Sequence, residues 1–464
     1  MKINPDIFRA YDIRGIYPQE INEEVVYKIG LAFSNLFKKI KEAVIARDYR
    51  LSSPTLKEAL LKGLQDGGKD IIDLGAVPVP VFYFGIFHYK KGGGLMVTAS
   101  HLGKEYNGLK IQKEKAIPIV GETGIYKMRD IILKNKLTKA IKGVKIIKKN
   151  IVPDYINHLS SKIKLARPLK IILDTSNGAC GDIPEKIFQK LGCNVFTLYR
   201  EPDGNFPNHP PDPHNPESLK DLQKEVVEKK ADFGLLYDGD GDRIGLVDEK
   251  GRVISADFIL MMLARQALSR KKGNIVYEIR VSKALFEDVE NHGGKVFISK
   301  IGHAYVLLEI LKRKAIFGGE FTGHLYFNYC YYPYDDGIFT GLKLAEIISQ
   351  LPKLSNYIDS LPRYCASPEI FINSTDEEKF KLIKDLQKHL KENHYDFIDI
   401  DGARINFDKG WALMRASNTA PLLKCRFEGD TKEDLIEIEK KSLEIFEKIG
   451  IPVTKKTYQE LGLK

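Results

Sequence analysis

Three times along the chain, apolar positions spaced for one face of a helix give way to a glycine and then to a run of β-branched residues. The first copy runs Pro54-Thr55-Leu56-Lys57-Glu58-Ala59-Leu60-Leu61, Gly67-Gly68, Asp70-Ile71-Ile72-Asp73-Leu74. The second is Pro184-Glu185-Lys186-Ile187-Phe188, Leu191-Gly192, Asn194-Val195-Phe196-Thr197-Leu198, and the third Lys283-Ala284-Leu285-Phe286, Gly293-Gly294, Lys295-Val296-Phe297-Ile298. A change of apolar period across a glycine predicts a helix, a turn and a strand in each copy. Successive copies lie roughly a hundred residues apart, too far for a solenoid, so the pattern predicts three related α/β domains in tandem. After Pro362 the texture changes. A charged helix over 376–392, short strands near 404–407, 411–414 and 422–427, and a last helix over 432–448 predict a separate α+β domain. The expected domains are 1–150, 151–254, 255–362 and 363–464.

Composition agrees with several folded domains. The 464 residues are 43% hydrophobic and 29% charged, which excludes a disordered polar chain and a multi-span membrane protein. A net charge of +10 draws anions, but the lysines are scattered and form no basic arm, which favours a phosphorylated small molecule over nucleic acid. Five cysteines, Cys180, Cys193, Cys330, Cys365 and Cys425, are far apart and odd in number, so neither a disulfide framework nor a zinc site is expected. The opening Met1-Lys2-Ile3-Asn4-Pro5-Asp6 lacks the apolar stretch of a signal peptide. The most apolar segment, 76–87, carries two prolines and is too short to cross a bilayer. The expected location is the cytoplasm.

Four segments carry candidate chemistry. Tyr237-Asp238-Gly239-Asp240-Gly241-Asp242-Arg243 lies between two apolar runs. Three carboxylates at alternate positions, with glycines that let the backbone curl, can converge on a hard cation such as Mg²⁺. A calcium EF-hand is excluded because Arg243 stands where its sharp turn needs glycine and the flanks read as strands. Val97-Thr98-Ala99-Ser100-His101 follows a short strand and leads into Glu105-Tyr106-Asn107-Gly108-Leu109-Lys110. This puts a hydroxyl on a tight loop at a strand end, a position for a nucleophile, while the lack of a GxSxG elbow weakens an acyl-transfer reading. Gly318-Gly319-Glu320-Phe321-Thr322-Gly323-His324 gathers a carboxylate, a hydroxyl and an imidazole suited to a sugar and to proton exchange. Arg280, Lys300 and His303 are ionisable groups upstream that can face the same cleft. Arg415-Ala416-Ser417-Asn418-Thr419-Ala420-Pro421, between two strands, offers the convergent donors a phosphate needs.

In this order the segments resemble the α-D-phosphohexomutase family. Its serine loop (TASH…YNG.K), metal loop (DGD.DR), sugar loop (GE.SGH) and phosphate loop (R.SNTEP) are similar to the stretches around Ser100, Asp238–Asp242, Glu320–His324 and Arg415–Thr419, and Phe8-Arg9-Ala10-Tyr11-Asp12-Ile13-Arg14-Gly15 resembles its first motif. The resemblance covers essentially the whole chain and implies four domains around one central cleft. It implies that Ser100 is a phosphoserine, with Mg²⁺ held by Asp238, Asp240, Asp242 and a phosphoserine oxygen, and with His101 and Arg243 touching the phosphoserine. Arg14, Lys110 and His324 match positions that move a proton or stabilise charge. Glu320 and Thr322 match the pair that holds sugar hydroxyls, and Arg415, Ser417, Asn418 and Thr419 the phosphate cradle. Tyr11, Arg280 and His303 match the substrate-site lining, Arg280 standing where a lysine is common.

Three departures stand out: Leu102-Gly103 replaces the Asn-Pro that usually follows Ser-His, Ala420 and Lys424 replace a glutamate and an arginine, and Thr322 replaces a serine. The activity implied is reversible phosphoryl transfer between C1 and C6 of mannose or glucose phosphates, through a hexose 1,6-bisphosphate that also serves as activator. The loops look more like the phosphomannomutase/phosphoglucomutase branch than phosphoglucosamine mutase. A metal-dependent sugar phosphatase and a non-catalytic phosphosugar-binding protein are the alternatives from other classes. No nucleic acid or membrane partner is expected.

Overall fold

The computed structural model describes residues 3–140, 144–417 and 421–463. Its first three sheets repeat one plan. In the first, Glu42–Arg47, Asp70–Ala76, Gly93–Val97 and Tyr106–Lys113 lie in the order second, first, third, fourth, with the first three parallel and the fourth antiparallel. Lys170–Asp174, Asn194–Leu198, Phe233–Tyr237 and Ile244–Asp248 repeat that order in the second sheet. Asn274–Glu278, Lys295–Ser299, Phe317–Gly319 and Leu325–Tyr326 repeat it in the third. Each first strand crosses to its parallel neighbour through a helix, Ser53–Asp66, Ile183–Lys190 and Lys283–Asn291, as parallel pairing requires. Gly68, Gly192 and Gly293 follow these helices with φ of 76°, 82° and 76°, the left-handed turn that releases a chain from a helix. In the third copy the first glycine of the Gly293-Gly294 pair makes the turn.

The last sheet is antiparallel throughout, built on Ala403–Phe407, Gly410–Ala416 and Leu422–Gly429. Its helices are Glu378–Glu392 and Lys432–Lys448. The fold is therefore three related α/β domains and a terminal α+β domain, as the apolar pattern predicts. The apolar segment 76–87 is the end of a strand and most of a buried helix, Val79–His88, whose prolines fall at its start, where a missing N–H costs nothing. Among the described residues no helix is long and apolar enough to cross a membrane, and all five cysteines are free.

Two kinds of contact hold the domains in place. One continuous apolar core takes in Val44, Phe84, Leu173, Tyr237, Tyr277 and Phe339, so the three α/β domains share buried surface. The terminal domain keeps its own core and docks on the third through arginines that donate to backbone. Arg404 Nη1 donates to Ile279 O at 2.6 Å and Val281 O at 3.0 Å, and Arg426 Nη1 donates to Arg280 O at 2.8 Å. Trp411 Nε1 donates to Glu428 Oε1 at 2.7 Å, which also accepts from Lys283 N at 2.9 Å. Replacing Arg404→Met leaves the Ile279 and Val281 carbonyls without this donor and is expected to weaken docking by about 1.5–3 kcal/mol. Hydrogen exchange would then quicken at 279–281 and 411–413 but not in the first sheet; equal quickening in both would show global loss instead.

Candidate functional site

Because three sheets share one plan, the same connection in each, from third strand to antiparallel fourth, emerges at the carboxyl end of the parallel strands, where α/β folds bind ligands. Those connections are the Ser100 loop, the Asp238–Arg243 loop and the Glu320–His324 loop. All three converge on one place.

The Ser100 loop is held in a left-handed bend, with φ of 53° at Ser100 itself, a conformation a non-glycine residue keeps only when its surroundings impose it. Arg50, 1% exposed, does so. Its Nη2 donates to Ser100 O at 2.8 Å and Leu102 O at 2.6 Å, and its Nη1 to Gly103 O at 2.6 Å and Tyr106 O at 3.2 Å. Nε donates to Asp48 Oδ2 at 3.1 Å. All five guanidinium donors are thereby used, and Leu102-Gly103 sits inside the clamp. The sequence reading passed over Arg50; the signal available was a charged cluster, Arg47-Asp48-Tyr49-Arg50, directly after a β-branched strand.

Ser100 Oγ donates to Asp238 Oδ2 at 2.9 Å and accepts from Arg243 Nη2 at 2.8 Å. His101 Nδ1 lies 3.4 Å from the same hydroxyl and takes a bond from Arg243. Ser100 N donates to Thr98 Oγ1 at 3.1 Å, and Thr98 Oγ1 donates to Asp240 Oδ2 at 2.9 Å, tying the two loops together. A Cβ at Gly239 would lie 2.5 Å from Ser100 O, so glycine there lets the loops touch. The acidic loop is fixed from outside as well: Val79 N, at the head of the Val79–His88 helix, donates to Asp240 O at 2.8 Å, and Ala179 N donates to Gly239 O at 2.9 Å.

Asp238, Asp240 and Asp242 are fully buried, with oxygens close enough together to hold a metal ion. Asp240 Oδ1 and Asp242 Oδ1 have no hydrogen-bond partner among the described residues. Burial, then the charge of neighbouring aspartates, raises the Asp238 and Asp240 carboxyls above their ordinary range. Burial pushes Asp242 the same way, but Lys110 first, and Arg243 after it, hold it below the usual range. Lys110 bonds Asp242 and lies 3.4 Å from Asp240 Oδ2. Burial works against its charge, and the two aspartates more than restore it, so it stays an ammonium. Arg14, on an edge strand paired with Tyr106–Lys113, donates to Asp12 Oδ2 at 2.8 Å and Thr98 O at 3.2 Å.

In the third loop, Glu320 Oε1 accepts from Gly302 N at 2.5 Å and Oε2 accepts from Thr322 Oγ1 at 3.3 Å. Burial first, then Glu278, pushes Glu320 up to about 7. His324 Nδ1 lies 2.6 Å from Asp335 Oδ2. Burial lowers His324 against the pull of Asp242, and it lowers His303 to about 4, so both imidazoles are neutral near pH 7. Asp335, a second residue the sequence reading missed, was signalled only by an acidic pair preceding the helix Gly337–Ile348. Tyr11 meets His303 edge-on, with ring centroids 5.3 Å apart. Arg280 Nε donates to Glu278 Oε1 at 2.9 Å.

Within the terminal domain Arg415 Nη2 lies 3.6 Å from Asp401 Oδ2, and Ser417 N donates to Leu422 O at 2.9 Å. Asn418, Thr419 and Ala420 lie outside the described residues. One cavity of about 450 Å³ is lined by every other predicted site residue except the three aspartates, which sit behind Ser100. Leu102 and Lys424 also line it, whereas Lys300 is exposed elsewhere.

Four family descriptions of phosphoglucomutase/phosphomannomutase cover the chain in order. Alpha/beta/alpha domains I, II and III match residues 5–139, 153–251 and 255–364, and the C-terminal domain matches 371–445. The chain is 38% identical to a phosphomannomutase/phosphoglucomutase of Pseudomonas aeruginosa, over 93% of this chain and 94% of that one. It is 35% identical to a phosphoglucomutase of Neisseria gonorrhoeae, over 96% and 97%. The crystal structure of a phosphoglucomutase/phosphomannomutase family protein from Burkholderia thailandensis superimposes with a TM-score of 0.91 at 33% identity, covering 97% of this chain and 99% of that one. The chain belongs to the phosphoglucomutase/phosphomannomutase family.

Arg50→Lys tests the clamp around Ser100. Lysine has three donors for five acceptors, so amide exchange at 100–106 should quicken by about tenfold or more, with protection at 171–173 unchanged. Unaltered exchange at 100–106 would show that the bend is held without the guanidinium.

Proposed function

We propose that this chain is a hexose phosphate mutase that moves a phosphoryl group between C1 and C6 of glucose or mannose phosphates. The observation that carries the reading is the cavity itself. A serine hydroxyl backed by three buried carboxylates and Arg243 shares it with a sugar-type carboxylate and hydroxyl, a neutral imidazole and, from a different domain, Arg415. A hydrolase needs a donor site alone; a mutase also needs a grip for the phosphate that stays.

In this reading Ser100 carries a phosphoryl group. Asp238, Asp240 and Asp242 would hold Mg²⁺ together with a phosphoserine oxygen, a role that suits an all-oxygen donor set with two unpartnered carboxylate oxygens. When bound, the ion would neutralise charge that three aspartates and a phosphate of about −2 bring into one buried place. Arg243 and His101 hold the serine end, and Lys110 and Arg14, both cationic, stabilise the phosphoryl group as it moves. Glu320 and Thr322 take the sugar hydroxyls, with Tyr11, Arg280 and His303 lining the sugar's bed. His324 uses Nδ1–H on Asp335, which leaves Nε2 to accept the proton of the attacking sugar hydroxyl. The bond from phosphorus to Ser100 Oγ breaks as the bond to the sugar oxygen forms. The hexose 1,6-bisphosphate then turns in the cavity and returns its other phosphoryl group to Ser100, and added bisphosphate activates by phosphorylating free Ser100. Arg415, Ser417, Asn418 and Thr419 grip the distal phosphate in both orientations.

Ser100→Ala should abolish nearly all interconversion of glucose 1-phosphate and glucose 6-phosphate while leaving the melting transition in place. Turnover near that of the parent would overturn the mechanism, and release of inorganic phosphate by the parent without isomerised sugar would show a phosphatase instead. Arg415→Ala should weaken 1-phosphates and 6-phosphates alike by roughly ten- to a hundredfold, as loss of a charge-assisted contact implies. Calorimetry with both isomers checks it; a defect confined to one isomer would contradict a shared cradle.

A further inference from the structure

Beside the three aspartates lies a second group of ligating side chains with different chemistry. His303 opens the helix His303–Arg313, His324 ends the Glu320 loop, and Asp335 precedes the helix Gly337–Ile348. Three separate elements thus bring one carboxylate between two imidazoles. Asp335 Oδ2 is 2.6 Å from His324 Nδ1 and 3.7 Å from His303 Nδ1. The two rings stack, with centroids 5.1 Å apart and 25° between their planes. One ligand atom from each residue lies within 4.8 Å of the others, and all three residues are buried. His303 Nε2 is buried with no partner among the described residues, so hydrogen bonding does not use up this cluster.

The donor set decides which ion suits it. The aspartate group offers only oxygen, the preference of Mg²⁺. Two imidazoles and a carboxylate form a nitrogen-rich set that Mg²⁺ takes poorly and a borderline dication takes well, and three protein ligands leave a fourth position open. Metal–ligand bonds of about 2.0–2.1 Å need only small movements from the present spacing. The cations nearby are already paired, Lys110 with Asp242 and Asp240, Arg243 with Asp238.

We propose that His303, His324 and Asp335 form a second, inhibitory dication site, selective for a borderline transition-metal ion such as Zn²⁺ and adjoining the aspartate group, with His324 Nδ1 3.7 Å from Asp242 Oδ1. A cation bound through His324 Nδ1 displaces the proton now shared with Asp335 and leaves the ring's proton on Nε2. That nitrogen can then no longer accept a proton from a sugar hydroxyl, and no net proton is released. The inhibition rests on the mutase reading; the metal site itself does not.

The test uses the full chain with saturating Mg²⁺ and Zn²⁺ as probe, with free Zn²⁺ set by a chromogenic chelator. One Zn²⁺ per chain should bind and resist further Mg²⁺. His303→Gln and Asp335→Asn should each weaken it by about tenfold or more, whereas Asp240→Asn should change it little. X-ray absorption at the zinc edge should show imidazole nitrogen. Absence of Zn²⁺ binding, displacement by Mg²⁺, or binding kept in His303→Gln and lost in Asp240→Asn would overturn the proposal. In the activity arm, Zn²⁺ should inhibit interconversion, and excess Mg²⁺ should not relieve it; relief by Mg²⁺ would overturn the inhibitory role. A chain that binds Zn²⁺ in this way but interconverts no hexose phosphate would fail the mutase reading and leave the site standing.

Discussion

Three carboxylates buried against a single serine hydroxyl set the terms for the centre of this molecule. Desolvation and mutual repulsion raise Asp238 and Asp240, and a buried charge without a partner is among the most costly features a fold can hold. The response comes from four directions. Lys110 arrives from the fourth strand of the first sheet and Arg243 from the end of the acidic loop itself. Thr98 binds Asp240 from the serine loop, and the first helical N–H after Pro78 takes the loop's backbone carbonyl. Removing Lys110 or Arg243 would leave a buried carboxylate without its cation, and Thr98 and Val79 bind Asp240 from the first domain, so the first two domains are fixed to each other at the point where the chemistry is proposed.

The repeated sheet plan turns that local demand into a whole site. A turn between a parallel strand and its antiparallel neighbour always leaves at the same end of the sheet, so three copies facing inward present three turns to one space. The copies have specialised by what each turn carries: a hydroxyl, three carboxylates, or a carboxylate with an imidazole. The shared apolar core keeps these turns in register. The terminal domain instead reaches the third through arginine-to-carbonyl bonds, through Glu428 accepting from Lys283 N, and through a small apolar contact of Trp411 and Leu413 with Ile279, a more polar junction that brings Arg415 to the cavity.

The two buried imidazoles give the cleft a second character. Beside an all-oxygen group that suits a hard ion sits a nitrogen-rich one, and the same carboxylate that orients His324 completes it. A proton relay and a metal site differ here only by what lies between Asp335 and the rings. Selectivity between ions then falls to ligand chemistry rather than to charge.

Much of this was legible in the amino-acid order. Helix, glycine and strand signals depend on neighbours in the chain, so the triplicate plan, the terminal α+β unit and the helix at 432–448 could be read directly. The acidic loop, the serine loop and the Glu320 loop are contiguous motifs whose residue types already state their chemistry. What the order of residues could not decide is who meets whom. Arg50 lies 50 positions before the serine whose bend it holds, and Asp335 is 11 positions from the imidazole it orients. Neither forms a motif with its partner, because a guanidinium or a carboxylate at a strand or helix end looks the same whether it faces water or a buried carbonyl. Whether Lys110 keeps its proton, and whether His303 and His324 stay neutral, is likewise fixed by burial and by charges drawn from other domains. Only the folded chain supplies these.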